Sequence, residues 1–163
     1  MRYSIGADPG LSGACAVLGA NDTLVALYDV PTLTIRTARG SRTEYDLPGM
    51  AWLLAPYTGL QSHVLIEEAQ AMPGQGTRSM FTIGLGFGVW LGILATLGLA
   101  HTRISPGVWK RVLGLTNDKE QARLRAQQLY PGASLRRKKD HGRSEALLLA
   151  RYGWRYVAGN GRA

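Results

Sequence analysis

The chain has 163 residues, 45% of them apolar, which suits one domain with a real hydrophobic core and excludes a disordered chain. Lysine and arginine number 19 against 11 acids, giving a net charge of +8 and a pI of about 10.1, so the partner favoured is nucleic acid or an anionic membrane. Cys15 is the only cysteine, which rules out an internal disulfide and a four-cysteine zinc site and reads as a small buried side chain in a reducing cytosol.

Met1-Arg2-Tyr3-Ser4 opens directly into a strand pattern and does not read as a signal peptide. Residues 3–8, about 12–18 and about 23–30 are rich in valine, leucine, alanine or tyrosine and predict three short strands. Pro9-Gly10 and Asn21-Asp22 are the turn chemistry between them, so the opening unit is an antiparallel meander. Residues 31–47 hold Pro31, Arg36, Arg39, Gly40 and Arg42 with little periodicity, and read as a long basic loop. Met50 to Tyr57 predicts a short helix and residues 63–67 a strand; residues 69–78 read as a mobile, glycine-rich loop.

From Met80 to Ala100 there is no charge, and the length suffices for a membrane span. Gly84, Gly86, Gly88, Gly92 and Gly98, with Thr82 and Thr96, keep its hydrophobicity modest. It reads as a buried central helix whose small-residue face packs closely on a sheet or a second subunit, and no membrane is expected. A strand at 101–104 follows, then a helix from Val108 to Leu113. Thr116 or Asn117 caps another helix, which Pro131-Gly132 stops after Tyr130. The basic run Arg136-Arg137-Lys138-Lys139 precedes a last helix over about 142–156. Strands first, then strand and helix alternating, predict one α/β layer domain with a mixed sheet across residues 1–163.

Asp8 and Glu67 each end an apolar run, where a carboxylate is costly unless it has a partner. Only one of Glu67 and Glu68 faces the side of Leu65, and Glu67, directly after the run, is the choice. Asp140-His141-Gly142-Arg143-Ser144-Glu145 sets further acids at the start of an apolar helix. His141 and Glu145 share a helical face. Asp140 and Glu145 diverge by roughly 140° if both are helical, and Asp140 also suits a helix cap.

Acids from three elements, in a basic chain, point to divalent metal held against a polyanion. Magnesium takes oxygen ligands and keeps several waters, so one or two carboxylates per ion suffice beside a phosphate. Two ions roughly 3.5–4 Å apart stabilise the attacking and leaving oxygens of a phosphodiester displacement. The run at 136–139 suits phosphate attraction, and Lys119 shares a helical face with Arg123, with Lys110 and Arg111 adding charge nearby. Trp52, Trp90, Trp109 and Trp154 read as core, and the spacing of Gly6, Gly10 and Gly13 fails the nucleotide-loop pattern.

These residues make the chain resemble the RuvC family of Holliday junction resolvases, in the RNase H-like superfamily. The carriers are Ile5-Gly6-Ala7-Asp8-Pro9-Gly10 with Gly13, Leu65-Ile66-Glu67, Asn117-Asp118-Lys119-Glu120-Gln121, and Lys139-Asp140-His141-Gly142-Arg143-Ser144-Glu145-Ala146-Leu147-Leu148. The last block is most similar to the phage and prophage branch. The resemblance implies an RNase H-like fold, with a mixed five-stranded sheet flanked by helices, in a bacterial cytoplasm. It also implies a homodimer that cuts opposed strands of four-way or branched DNA with magnesium or manganese, two ions per site, leaving 5′-phosphate and 3′-hydroxyl ends.

Family roles fall on Asp8, Glu67 and Glu145 as carboxylate ligands and on Lys119 beside the scissile phosphate. The family aspartate three residues before the last acid is Gly142 here, so Asp140 or His141 supplies the fourth group. Glu145 is one methylene longer than the family's last acid. Gln70, Met72 and Pro73 stand where the family often carries an aromatic wedge. The expected catalytic set is Asp8, Glu67, Lys119, His141 and Glu145, with Asp140 added among metal ligands. Arg78, Lys119, Arg136, Arg137, Lys138 and Lys139 are expected on the DNA backbone. Two rival readings are an RNase H-like nuclease for RNA–DNA hybrid and a non-catalytic branched-DNA-binding module.

Overall fold

The computed structural model describes residues 1–38, 40–70, 74 and 76–157. Strands β1 (Tyr3–Ala7), β2 (Ala14–Leu18) and β3 (Leu24–Asp29) form the predicted antiparallel meander. The chain leaving β1 turns back through Gly13, where a Cβ would lie 2.2 Å from the Asp8 carbonyl oxygen, so only glycine closes that turn.

Residues 31–47 correct the expected loop. They form a separate antiparallel hairpin, β4 (Thr32–Thr37) with β5 (Gly40–Tyr45). Thr32, Thr34, Ile35, Thr37 and Thr43 favour extended backbone, but most of the hairpin is exposed, so no apolar alternation marks it. Arg39 lies outside the described residues. Helix α1 (Leu47–Leu54) starts three residues earlier than expected because Asp46 caps it, accepting from the Gly49 N–H at 3.1 Å.

β6 (Ser62–Glu67) pairs parallel with β1, and β7 (His101–Ile104) parallel with β6. The main sheet is therefore mixed and five-stranded, in the order β3-β2-β1-β6-β7, as predicted. Its side chains alternate between two layers. Ile5, Ala7, Cys15, Val17, Val64 and Ile66 pack with Met50 and Leu54 of α1 and with Trp90 and Leu94 of α2 (Thr77–Thr96). Ala14, Ala16, Leu18 and Leu65 pack with α3 (Pro106–Val112), α4 (Lys119–Leu129) and α5 (His141–Tyr152). Gly6 lets α5 press directly onto β1: a Cβ there would meet the Ala146 carbonyl oxygen at 2.1 Å.

The expectation of a buried central helix is also corrected. α2 lies against the sheet, yet buries only Gly86, Trp90 and Leu94. Phe81 and Leu85 are exposed, and Gly84, Gly88 and Gly92 face open space. A charge-free sequence reports composition, not what covers it. α2 has the length and apolarity to cross a membrane, with mean hydropathy 1.6, but its two ends lead to neighbouring strands of one sheet.

The cap of α4 is Asp118, whose carboxylate accepts from the Glu120 N–H at 2.8 Å, rather than Thr116 or Asn117. Trp90 and Trp109 are core as expected; Trp52 is 76% exposed and is not. Cys15 is buried, and burial pushes its thiol up to about 12.

Candidate active site

The register of β1 with β6 matches Ala7 to Ile66, so Asp8 and Glu67 leave the carboxyl ends of adjacent parallel strands side by side. That edge is where open α/β sheets place their ligands. α5 begins at the same edge. At Gly142 a Cβ would lie 2.5 Å from the Ser12 carbonyl oxygen and 3.3 Å from Asp8 Oδ2, so no side chain fits at that position. Glu145 follows one turn later and is buried.

The Gly10 N–H donates to Asp8 Oδ1 at 3.2 Å. Burial pushes the Asp8 carboxyl up to about 6; the Gly10 bond opposes this, Glu145 adds to it, and the charges of Lys119 and His141 pull downward. Burial likewise pushes Glu67 up to about 7, helped by the charges of Glu145 and Asp8 and opposed by the Trp109 bond and Lys110. Asp8, Glu67 and Glu145 therefore share one electrostatic site. The Glu68 backbone N–H donates to the Ile104 carbonyl at 2.9 Å.

Two members of this site were not anticipated in their roles. Trp109 Nε1 donates to Glu67 Oε2 at 2.8 Å, and Lys110 Nζ donates to Glu145 Oε1 at 2.6 Å. The available signal was topological. β7 runs parallel beside β6 with Ile104 opposite Glu67, so the helix that follows starts at the acidic edge.

Asp140, expected among the metal ligands, is engaged by Arg137. Its buried carboxylate accepts from the Arg137 N–H at 2.8 Å, from Nε at 3.0 Å and from Nη2 at 2.7 Å. Burial opposes its ionisation, but Arg137 outweighs burial and holds the carboxyl below its usual value. It closes the turn Lys138–Asp140 instead of capping α5. His141, whose Nδ1 lies 3.1 Å from the Lys138 carbonyl oxygen, is the neighbour whose charge reaches Asp8.

Among the expected DNA contacts, Lys119 is exposed near Asp8, and Arg136, Lys138 and Lys139 are exposed on the approach to α5. Arg137 is committed to Asp140. Arg123 pairs with Glu120. Arg78 is exposed on the first turn of α2, where it lines an apolar groove with Arg42 and Phe81. Gln70 is exposed; Met72 and Pro73 lie outside the described residues.

Hard carboxylate oxygens, partly buried and mutually repelling, are the donor set that a divalent cation such as magnesium takes. Asp8, Glu67 and Glu145 fit it in chemistry and in location. As the side chains stand, no group of three His, Cys, Asp or Glu among the described residues closes around one ion. Glu145 is instead held by Lys110 and Glu67 by Trp109.

No family model matches the chain. It is 36% identical over 89 residues to the chloroplastic Holliday junction resolvase MOC1 of Chlamydomonas reinhardtii. That match covers 52% of this chain and 10% of the algal protein, so the chain spans about a tenth of its curated relative's length. The fold superposes on T. thermophilus RuvC in complex with a Holliday junction substrate with a TM-score of 0.62, covering 100% of this chain and 98% of that one at 15% identity. It superposes on a second Thermus thermophilus RuvC structure with a TM-score of 0.55, covering 96% and 97% at 13% identity. The chain is thus similar in sequence to a Holliday junction resolvase and has the fold of RuvC, an RNase H-like α/β fold.

Proposed function

We propose that this protein is a metal-dependent, structure-selective endodeoxyribonuclease that resolves Holliday junctions and other branched DNA. One observation carries the reading: Asp8, Glu67 and Glu145 meet electrostatically at one sheet edge, beside Lys119 and His141, in a chain of net charge +8. The sequence similarity to a Holliday junction resolvase supports it.

Asp8, Glu67 and Glu145 would hold magnesium or manganese, with His141 as a further donor. Bound there, such ions would supply activation of water and an offset to the charge on the leaving oxygen of a phosphodiester, with 5′-phosphate and 3′-hydroxyl ends expected. The chain's own groups prepare the site. The Gly10 N–H and the Gly13 turn fix Asp8, and the Trp109 indole fixes Glu67. Lys119 places an ammonium near Asp8, where a phosphate would enter. Arg78, Arg136, Lys138 and Lys139 hold the DNA backbone without reading its sequence.

Cutting opposed strands requires a pair of sites, and the exposed apolar face of α2 supports a homodimer as the working form. The test is to offer a mobile four-way DNA junction and an RNA–DNA hybrid duplex, each with manganese, to the wild type and to Asp8→Asn. The junction should be cut and the hybrid spared, and Asp8→Asn should bind the junction without cutting it. Preferential cleavage of the hybrid would replace the substrate, and full cleavage by Asp8→Asn would overturn the site.

A further inference from the structure

We propose that Lys110 competes with the divalent cation for the Glu145 carboxylate and so limits the metal affinity of the DNA-free protein; the inference rests on the metal-site reading above. Lys110 is only 8% exposed, although lysine is seldom buried without a partner. Its Nζ reaches Glu145 Oε1 at 2.6 Å, while the ammonium lies 5.3 Å from the centre of the Trp109 ring. The neighbouring residue treats its own acid differently. Trp109 gives Glu67 a neutral N–H, which fixes the carboxylate without bringing a positive charge of its own. Lys110 gives Glu145 a full positive charge.

A dication drawn in by Asp8 and Glu67 would meet that ammonium as a like charge, at a site shielded from water, where repulsion is strong. Glu145 can serve the ion only as Lys110 gives up its bond. The displaced ammonium then suits the anion that arrives with the substrate, a DNA phosphate. Lys110 is therefore a positioning residue with two partners, not a fixed structural ion pair.

Manganese binding to the DNA-free protein, followed by the electron paramagnetic resonance of the free ion, reads this without any cleavage. Lys110→Met keeps the apolar stem over Trp109 and removes the charge. It should bind manganese about tenfold more tightly than wild type, the reverse of the loss that follows when a partner supporting a metal ligand is removed. Lys110→Arg keeps the charge and should bind as wild type does. If Lys110→Met fails to fold, Lys110→Gln gives the same readout. Unchanged or weaker manganese binding in the neutral variant would overturn the competition. Asp8→Asn serves as the separate control: manganese binding of wild-type strength there would mean that the cation site itself is misplaced, whatever Lys110 does.

Discussion

At the far end of α5 from the candidate site, Asp22 accepts a hydrogen bond from the Tyr130 hydroxyl at 2.5 Å and pairs with Arg151, while Arg155 stands 3.8 Å away. Burial, and then the bond to Asp22, raise the Tyr130 hydroxyl's pKa, so the phenol stays a donor. At the near end, Asp8 and Glu67 are half-buried beside Glu145 with their carboxyls pushed up to about 6 and about 7. One helix thus ends on a closed network and begins on an open one. The closed network spends its charges on each other and fastens α5 and α4 to the β2–β3 turn. The open one leaves Asp8 and Glu67 without a salt bridge among the described residues, at a cost in stability, which is the condition for attracting a cation.

Breaking the closed end should have the largest effect. Asp22→Ala leaves Arg151 partly buried without its carboxylate and should lower stability by about 3–5 kcal/mol, read by urea unfolding. The open end should respond with the opposite sign. Unfolded, Asp8 ionises near 3.8; folded, near 6. The fold is therefore favoured at acid pH, and that advantage is lost as pH rises through about 6. Metal-free Asp8→Asn should accordingly be more stable than wild type at pH 8, by about 1–3 kcal/mol, and equal to it near pH 3.

The same carboxyls set a pH dependence for metal. Only their ionised forms bind, so manganese affinity should climb as pH passes from about 6 to about 7 and flatten once Glu67 has titrated, followed by calorimetry. The smallest effect belongs to an ion pair outside both networks. Arg42 and Glu44 pair at 2.5 Å on the exposed hairpin, and Glu44→Gln should change stability by less than about 0.5 kcal/mol in the same unfolding assay.

Legibility in the sequence followed burial. β1, β2, β3 and β6 announce themselves because their apolar residues must fill two layers, and the same logic exposed Asp8 and Glu67 as acids at strand ends. The β4–β5 hairpin was invisible because most of its length meets solvent and needs no pattern. Thr116, Asn117 and Asp118 all have capping side chains; the choice fell to Asp118 once Thr116 bonded Gln121 at 2.9 Å. Asp140 and His141 stand level in the sequence, and the bond of Arg137 to Asp140 was not legible there. Trp109 and Lys110 meet Glu67 and Glu145 across 42 and 35 residues of chain, a relation that only the sheet topology creates.

A crystal soaked in manganese would test the shared cation site most directly. Anomalous density for manganese should lie between the Asp8 and Glu67 carboxylates and be reached by Glu145, with Asp140 still held by Arg137. Manganese bound elsewhere, with those three carboxylates apart and Glu145 still on Lys110, would contradict it.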